Sequence, residues 1–193
     1  MRGLAIIALL LIYIPAQAQD CCPRTEFSFG YAFFSADPRG DRINSNSFDS
    51  RYGQNGIAFS GVFNHSRRLG VVADFSYHWR GATIDDVKID TKTFNFLFGP
   101  RYTSRNSGFT SFFQALVGGT RRKNEIMTGN VSATDFTLGF GFGGNIEVNK
   151  NFSVRLFQLD YLPSRGETSS GQKQWSHNFR LQAGITFKLG QIE

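Results

Sequence analysis

Asp74, Ser76 and His78 occupy alternate positions of one stretch, and these are the residue types that nucleophilic hydrolysis uses. Their order opposes that chemistry. A nucleophile must touch a base and the base an orienting acid. Alternate residues of an extended chain stand about 6.6 Å apart, and here the serine lies between the other two. The trio therefore predicts hydrogen bonding on a polar face. His65-Ser66 and Ser176-His177 are the other histidine and serine pairs, and neither brings an acid at a recognisable spacing. Gly139, Gly141 and Gly144 match a dinucleotide fingerprint in form. That motif works only where a strand yields to a helix whose N-terminus holds pyrophosphate, whereas this chain continues with Asn145-Ile146-Glu147-Val148. Arg39-Gly40-Asp41 spells an adhesive tripeptide, a match that arises easily by chance in a stretch rich in these residues. No catalytic, metal-binding or cofactor-binding set is expected.

The elements that carry these residues read as strands, because hydrophobic residues recur with period two along almost the whole chain. Phe27, Phe29, Tyr31 and Phe33 alternate with Ser28, Gly30, Ala32 and Phe34. Val71, Ala73, Phe75, Tyr77 and Trp79 alternate with Val72, Asp74, Ser76 and His78, and Phe179 to Leu189 repeats the pattern. Further runs cover residues 56–63, 94–102, 112–117 and 136–148. The seventh, Phe152 to Leu162, shifts phase between Arg155 and the pair Gln158 and Asp160. A β-bulge near Phe157 is predicted.

One face of every run is aromatic or aliphatic, and the other carries charges that a dry core could not hold unpaired. Lipid outside and a polar lumen inside satisfy both faces, and closing the sheet satisfies every backbone group. The connections point the same way. Residues 35–53, 81–91, 120–133 and 163–176 read as long loops, and 64–69, 103–108 and 149–151 as tight turns. Long loops at one end and short turns at the other mark a transmembrane barrel of the bacterial outer membrane. The expected fold is thus all-β, an eight-stranded antiparallel up-and-down transmembrane barrel.

Nothing in the chain is long enough to cross a bilayer as a helix. The one unbroken apolar run is Leu4 to Ile14, against a requirement of about 20 residues. Arg2 before it and Pro15-Ala16-Gln17-Ala18 after it complete a secretory signal. The expected division is a signal peptide over 1–18, a flexible mature N-terminus over 19–25 and the barrel over 26–193. With 193 residues, 21 Phe, 21 Gly and only the adjacent pair Cys21-Cys22, the chain has no disulfide framework.

At the last strand, Gln182, Gly184, Phe187 and Leu189 look like the signal read by the barrel-assembly machinery. The whole mature chain resembles the OmpA/OmpX-like eight-stranded outer-membrane β-barrel family, and FLFGPRYTSRN, FFQALVGG and FQLDYLPSRG are similar to segments of its members. Two departures are the tail Gly190-Gln191-Ile192-Glu193, where many members end on an aromatic residue, and the missing periplasmic domain. The resemblance implies no peptidoglycan tether.

The residues expected to face the lumen include Glu26, Asp74, His78, Arg101, Gln114, Asp135, Glu147, Arg155, Asp160, Arg180 and Lys188. A barrel of this size is only wide enough for side chains to fill, so their mixed signs predict a plug. Arg121-Arg122-Lys123 stands where a strand should leave the outer leaflet, as a possible contact for lipopolysaccharide phosphates. The formal charge of +6 is scattered among lumen, loops and turns, which argues against nucleic acid. The expected function is a non-enzymatic, monomeric porin-like envelope protein without cofactors, supporting envelope integrity or surface interaction through an unknown surface partner. A small passive pore and an outer-membrane lipid-modifying enzyme are the alternatives.

Overall fold

A computed structural model describes residues 22–37, 51–84, 87–126, 129–167 and 171–192. The cleavage site after Ala18, Cys21 and Arg39-Gly40-Asp41 lie outside them. Period two dictates extended backbone, and the chain forms β1 (Thr25–Ala36), β2 (Tyr52–Asn64), β3 (Leu69–Ile84), β4 (Val87–Asn106), β5 (Phe109–Ile126), β6 (Gly129–Asn149), β7 (Phe152–Glu167) and β8 (Lys173–Leu189). Each pairs antiparallel with its neighbour in sequence, and β1 pairs with β8 to close the barrel. Closure leaves no edge within the barrel wall, which is the condition for placing a sheet in lipid.

Three tight turns join strands at one end. Ser66 Oγ accepts the Leu69 N–H at 3.1 Å, and His65 N–H donates to the Leu69 carbonyl at 2.9 Å. His65-Ser66 therefore builds a turn. Gly108 takes φ 78° in another, a left-handed conformation that glycine adopts without a Cβ clash. At this end Asn64 N–H donates to Arg24 O at 2.8 Å and Ile192 N–H to Cys22 O at 3.0 Å, so residues just before β1 are tied to the barrel.

The opposite end corrects three of the four expected long loops, while the first, between Ala36 and Tyr52, lies mostly outside the described residues. β3 and β4 run on to Ile84 and Val87, β5 and β6 to Ile126 and Gly129, and β7 and β8 to Glu167 and Lys173. The aromatic pattern stops where the lipid stops, while backbone pairing continues into water. Above the barrel wall, β3 leaves β2 after Trp79↔Asn55, yet its ladder with β4 continues to Ile84↔Val87. β5 and β6 stay paired to Ile126↔Gly129, and β6 meets β7 no higher than Phe136↔Arg165 among the described residues. A four-stranded sheet, β3 to β6, thus stands beside the separate β7–β8 hairpin.

The bulge falls where the phase shift puts it. Gly144 pairs with Phe157 and Asn145 with Arg155, so Leu156 is the extra residue, and Leu156 and Phe157 both point outward. Absorbing that residue keeps Gln158 and Asp160 inside. The same extra residue in a regular strand would turn both to lipid, because a one-residue slip exchanges the faces.

Candidate lumen network and membrane-facing surface

Alternation sends Asp74, His78, Arg101, Gln114, Asp135, Arg155, Asp160 and Arg180 into the lumen, all with 3% exposure or less, and Glu147 beside them at its turn end. Arg180 of β8 is the central clamp. It pairs with Asp74 of β3 at 2.8 Å and with Asp160 of β7 at 2.9 Å, and the three side chains have no exposed surface. Asp160 also accepts N–H bonds from Gln114 at 3.1 Å and from Gln158 and Gln182 at 3.0 Å each. Buried charge is tolerable only when paired and hydrogen-bonded in this way. Gly141 opposite makes the space, since a Cβ there would strike the Asp160 carboxylate.

Arg101 and Arg155 flank Phe112, their guanidinium carbons 4.2 and 5.0 Å from the ring centroid. Arg101 donates to Gln114 Oε1 at 2.7 Å, and Arg155 reaches Ser28 Oγ at 2.7 Å and Gln158 Oε1 at 2.8 Å. A void of about 10 Å³ beside Ser28, Arg155 and Gly184 is about the size of one water. Val62, Val72, Leu97, Leu116, Leu162 and Phe34 form an apolar cluster alongside. Toward the turns, Glu26 holds Arg105 at 2.6 Å and Asn64 at 2.9 Å, while Lys188 pairs with Glu147. Toward the outside, Asn95, Thr120, Thr137 and Ser164 are linked by hydroxyl contacts of 2.7, 2.8 and 2.9 Å.

The suspected triad divides. His78 Nε2 does contact Ser76 Oγ, at 2.9 Å, because the imidazole spans the distance between alternate residues. Asp74 turns away to Arg180, and Arg180 and Asn95 also donate to Ser76 at 2.7 and 3.0 Å. Among the described residues no acid orients the histidine, whose ring instead stacks on Phe34 at 5.0 Å. Ser176 and His177 point to opposite faces: the serine bonds the Ser164 carbonyl, and the histidine stacks on Tyr161 with Nδ1 2.5 Å from its hydroxyl.

The basic cluster is corrected too. Arg121 is exposed outside, opposite Phe94 and Thr134, and Lys123 lies opposite Lys92. Arg122 turns inward to Ser176 at 3.2 Å and Asn178 at 3.3 Å, since adjacent strand residues cannot share a face. Arg105, expected in a turn, was missed as the partner of Glu26. Its parity with Arg101 was the available signal. At the final strand, Gln182 faces Asp160, Gly184 meets Gly30 at the closing seam, and Phe187 and Leu189 are about half exposed outside.

The outer surface is the deciding feature. Phe29, Tyr31, Phe59, Val71, Phe113, Phe136, Phe140 and Leu181 expose about half their area around the barrel. An apolar band of that extent on a protein with a charged interior has lipid, not water, as its solvent. The chain belongs to the outer membrane protein beta-barrel domain family. The family model matches residues 4–187. Its place is the bacterial outer membrane.

Solved structures agree on the fold. Neisserial surface protein A superposes with a TM-score of 0.62 at 13% identity, covering 86% of this chain and 97% of that one. The attachment invasion locus protein Ail of Yersinia pestis, solved with the heparin analogue sucrose octasulfate, gives 0.55 at 19% identity over 84% and 97%. OprG of Pseudomonas aeruginosa gives 0.51 at 10% identity over 88% and 97%. No curated protein sequence matches the chain significantly.

Proposed function

We propose that this barrel is a non-enzymatic envelope protein with a closed lumen that acts through its outer end, supporting envelope integrity and surface interaction. The observation that carries this reading is the Arg180 clamp, which joins β8 to β3 and β7 across the interior with no exposed surface. Planar-bilayer recordings of refolded protein are expected to stay at baseline. Stable conductance steps would overturn the closed lumen and favour the passive pore. The lipid-modifying alternative has a direct test in the mass of lipid A from cells expressing the wild type or His78→Ala. Identical spectra, matching those of cells lacking the protein, are expected.

Partners follow from the outer face. Lys92, Arg121 and Lys123 share the outward parity beside Phe94, where lipopolysaccharide phosphates would lie. Gln182, Gly184, Phe187 and Leu189 are proposed as the segment that the assembly machinery reads, and the barrel as a monomer.

A further inference from the structure

We propose that a periplasmic corner of the barrel, formed by Arg24, Arg67 and Arg68, binds the phosphate of an anionic phospholipid in the inner leaflet of the outer membrane. All three arginines are exposed, and main-chain contacts gather them. Arg24 O accepts the Asn64 N–H at 2.8 Å, which ties the segment before β1 to the end of β2, just ahead of the turn that carries Arg67 and Arg68. Arg68 O accepts the Thr103 N–H at 2.7 Å, and Arg67 O accepts a bond from Arg105 Nη1 at 2.6 Å, so the end of β4 meets the same corner. These ties use carbonyl oxygens and do not involve the three exposed guanidinium groups.

The protein itself does not balance the charge gathered there. Among the described residues the carboxylate at this corner is Glu26, which is buried and already holds Arg105 at 2.6 Å. Glu147, at the same end of the barrel, is paired with Lys188. A phosphate would relieve the repulsion among the arginines, and its oxygens match the paired donors of a guanidinium. The neighbouring surface points to lipid as the source of that phosphate. Arg24 Cζ stands 5.6 Å from the ring centroid of Phe63, which is about half exposed on the apolar outer face. Leu69 and Tyr102, paired across β3 and β4, continue that face and are also about half exposed. The short-turn end of an outer-membrane barrel is the periplasmic end. Acyl chains lying on Phe63, Leu69 and Tyr102 therefore bring their headgroups to the level of the arginines. Arg24, with its head beside an aromatic ring at that boundary, has the placement of a snorkelling cation. An anionic headgroup fits better than a zwitterionic one, whose ammonium the arginines repel.

The test places the full protein in nanodiscs of equimolar phosphatidylglycerol and phosphatidylethanolamine with matched chains, and counts by native mass spectrometry the lipids that stay bound on release. Phosphatidylglycerol is expected to be retained over phosphatidylethanolamine by about fivefold or more, roughly the effect of one basic residue near a membrane surface. The variant Arg24→Gln/Arg67→Gln/Arg68→Gln should erase this preference. Arg80→Gln/Arg165→Gln/Lys173→Gln, an equal charge loss on exposed residues of the outer end, should keep it. Glutamine leaves the main-chain ties in place, and heat-modifiable migration checks that each variant folds. Should the inner triple variant not fold, Arg24→Gln and Arg68→Gln singly are each expected to lower the preference by a smaller factor. Equal retention of the two lipids by the wild type, an unchanged preference in the inner variants, or the same loss in both triple variants would overturn the proposal. Displacement of the retained lipid by inorganic phosphate at constant ionic strength, or binding to purified peptidoglycan sacculi that the same three arginines control, would overturn the assignment to lipid.

Discussion

The middle of the lumen and the outer hairpins are built from the same alternating strands, yet they differ in what holds them. In the lumen, Arg180, Asp74 and Asp160 are fully enclosed and each charge depends on the others. In the hairpins, Arg165 and Lys173 are exposed, and the sheet continues through backbone pairing with side-chain contacts on its surface, such as Arg165 over the Trp175 ring. The contrast separates stability from interaction. A closed interior tolerates little change, whereas exposed outer hairpins are freer to vary.

The largest expected effect breaks the interior. Arg180→Met strands two buried carboxylates, a loss of about 3–5 kcal/mol when one partner of a buried pair is removed, read as a lower urea midpoint in detergent micelles. Gly184→Val comes next. Its Cβ would strike the Phe29 carbonyl and Gly30 Cα across the β1–β8 seam, and overpacking of this kind costs about 1–3 kcal/mol. A falling yield of the heat-modifiable folded form would show it. Deleting Leu156 should do less than either, because it removes the register shift between Arg155 and Gln158 from both ladders of β7 while Arg155, Gln158 and Asp160 stay inside; a loss equal to that of Arg180→Met would show that the bulge itself holds the barrel. The smallest effect belongs to the hairpins. Ser132→Ala, exposed on β6, should change stability by less than about 0.5 kcal/mol, and a larger shift in the same urea titration would erase the contrast.

Much of this was legible from residue types. The lumen list was readable because a face cannot change without a slip of one residue, and the Arg155 to Gln158 phase break located the bulge. The tight turns were legible too, but the lengths of three outer connections were not, because hydrophobicity reports where lipid ends and says nothing of where backbone pairing ends. Arg122 was misassigned for a related reason: three adjacent basic residues read as one patch in sequence, while a strand divides them between two solvents.

By itself, then, the chain determined a membrane barrel, its strand faces and the polarity of its interior, all of which follow from period two and local residue type. Who meets whom inside was decided only by closure. Arg180 and Asp74 are on strands that are not neighbours, 106 residues apart by number, and nothing local brings them together. Wrapping eight strands around a narrow lumen does so.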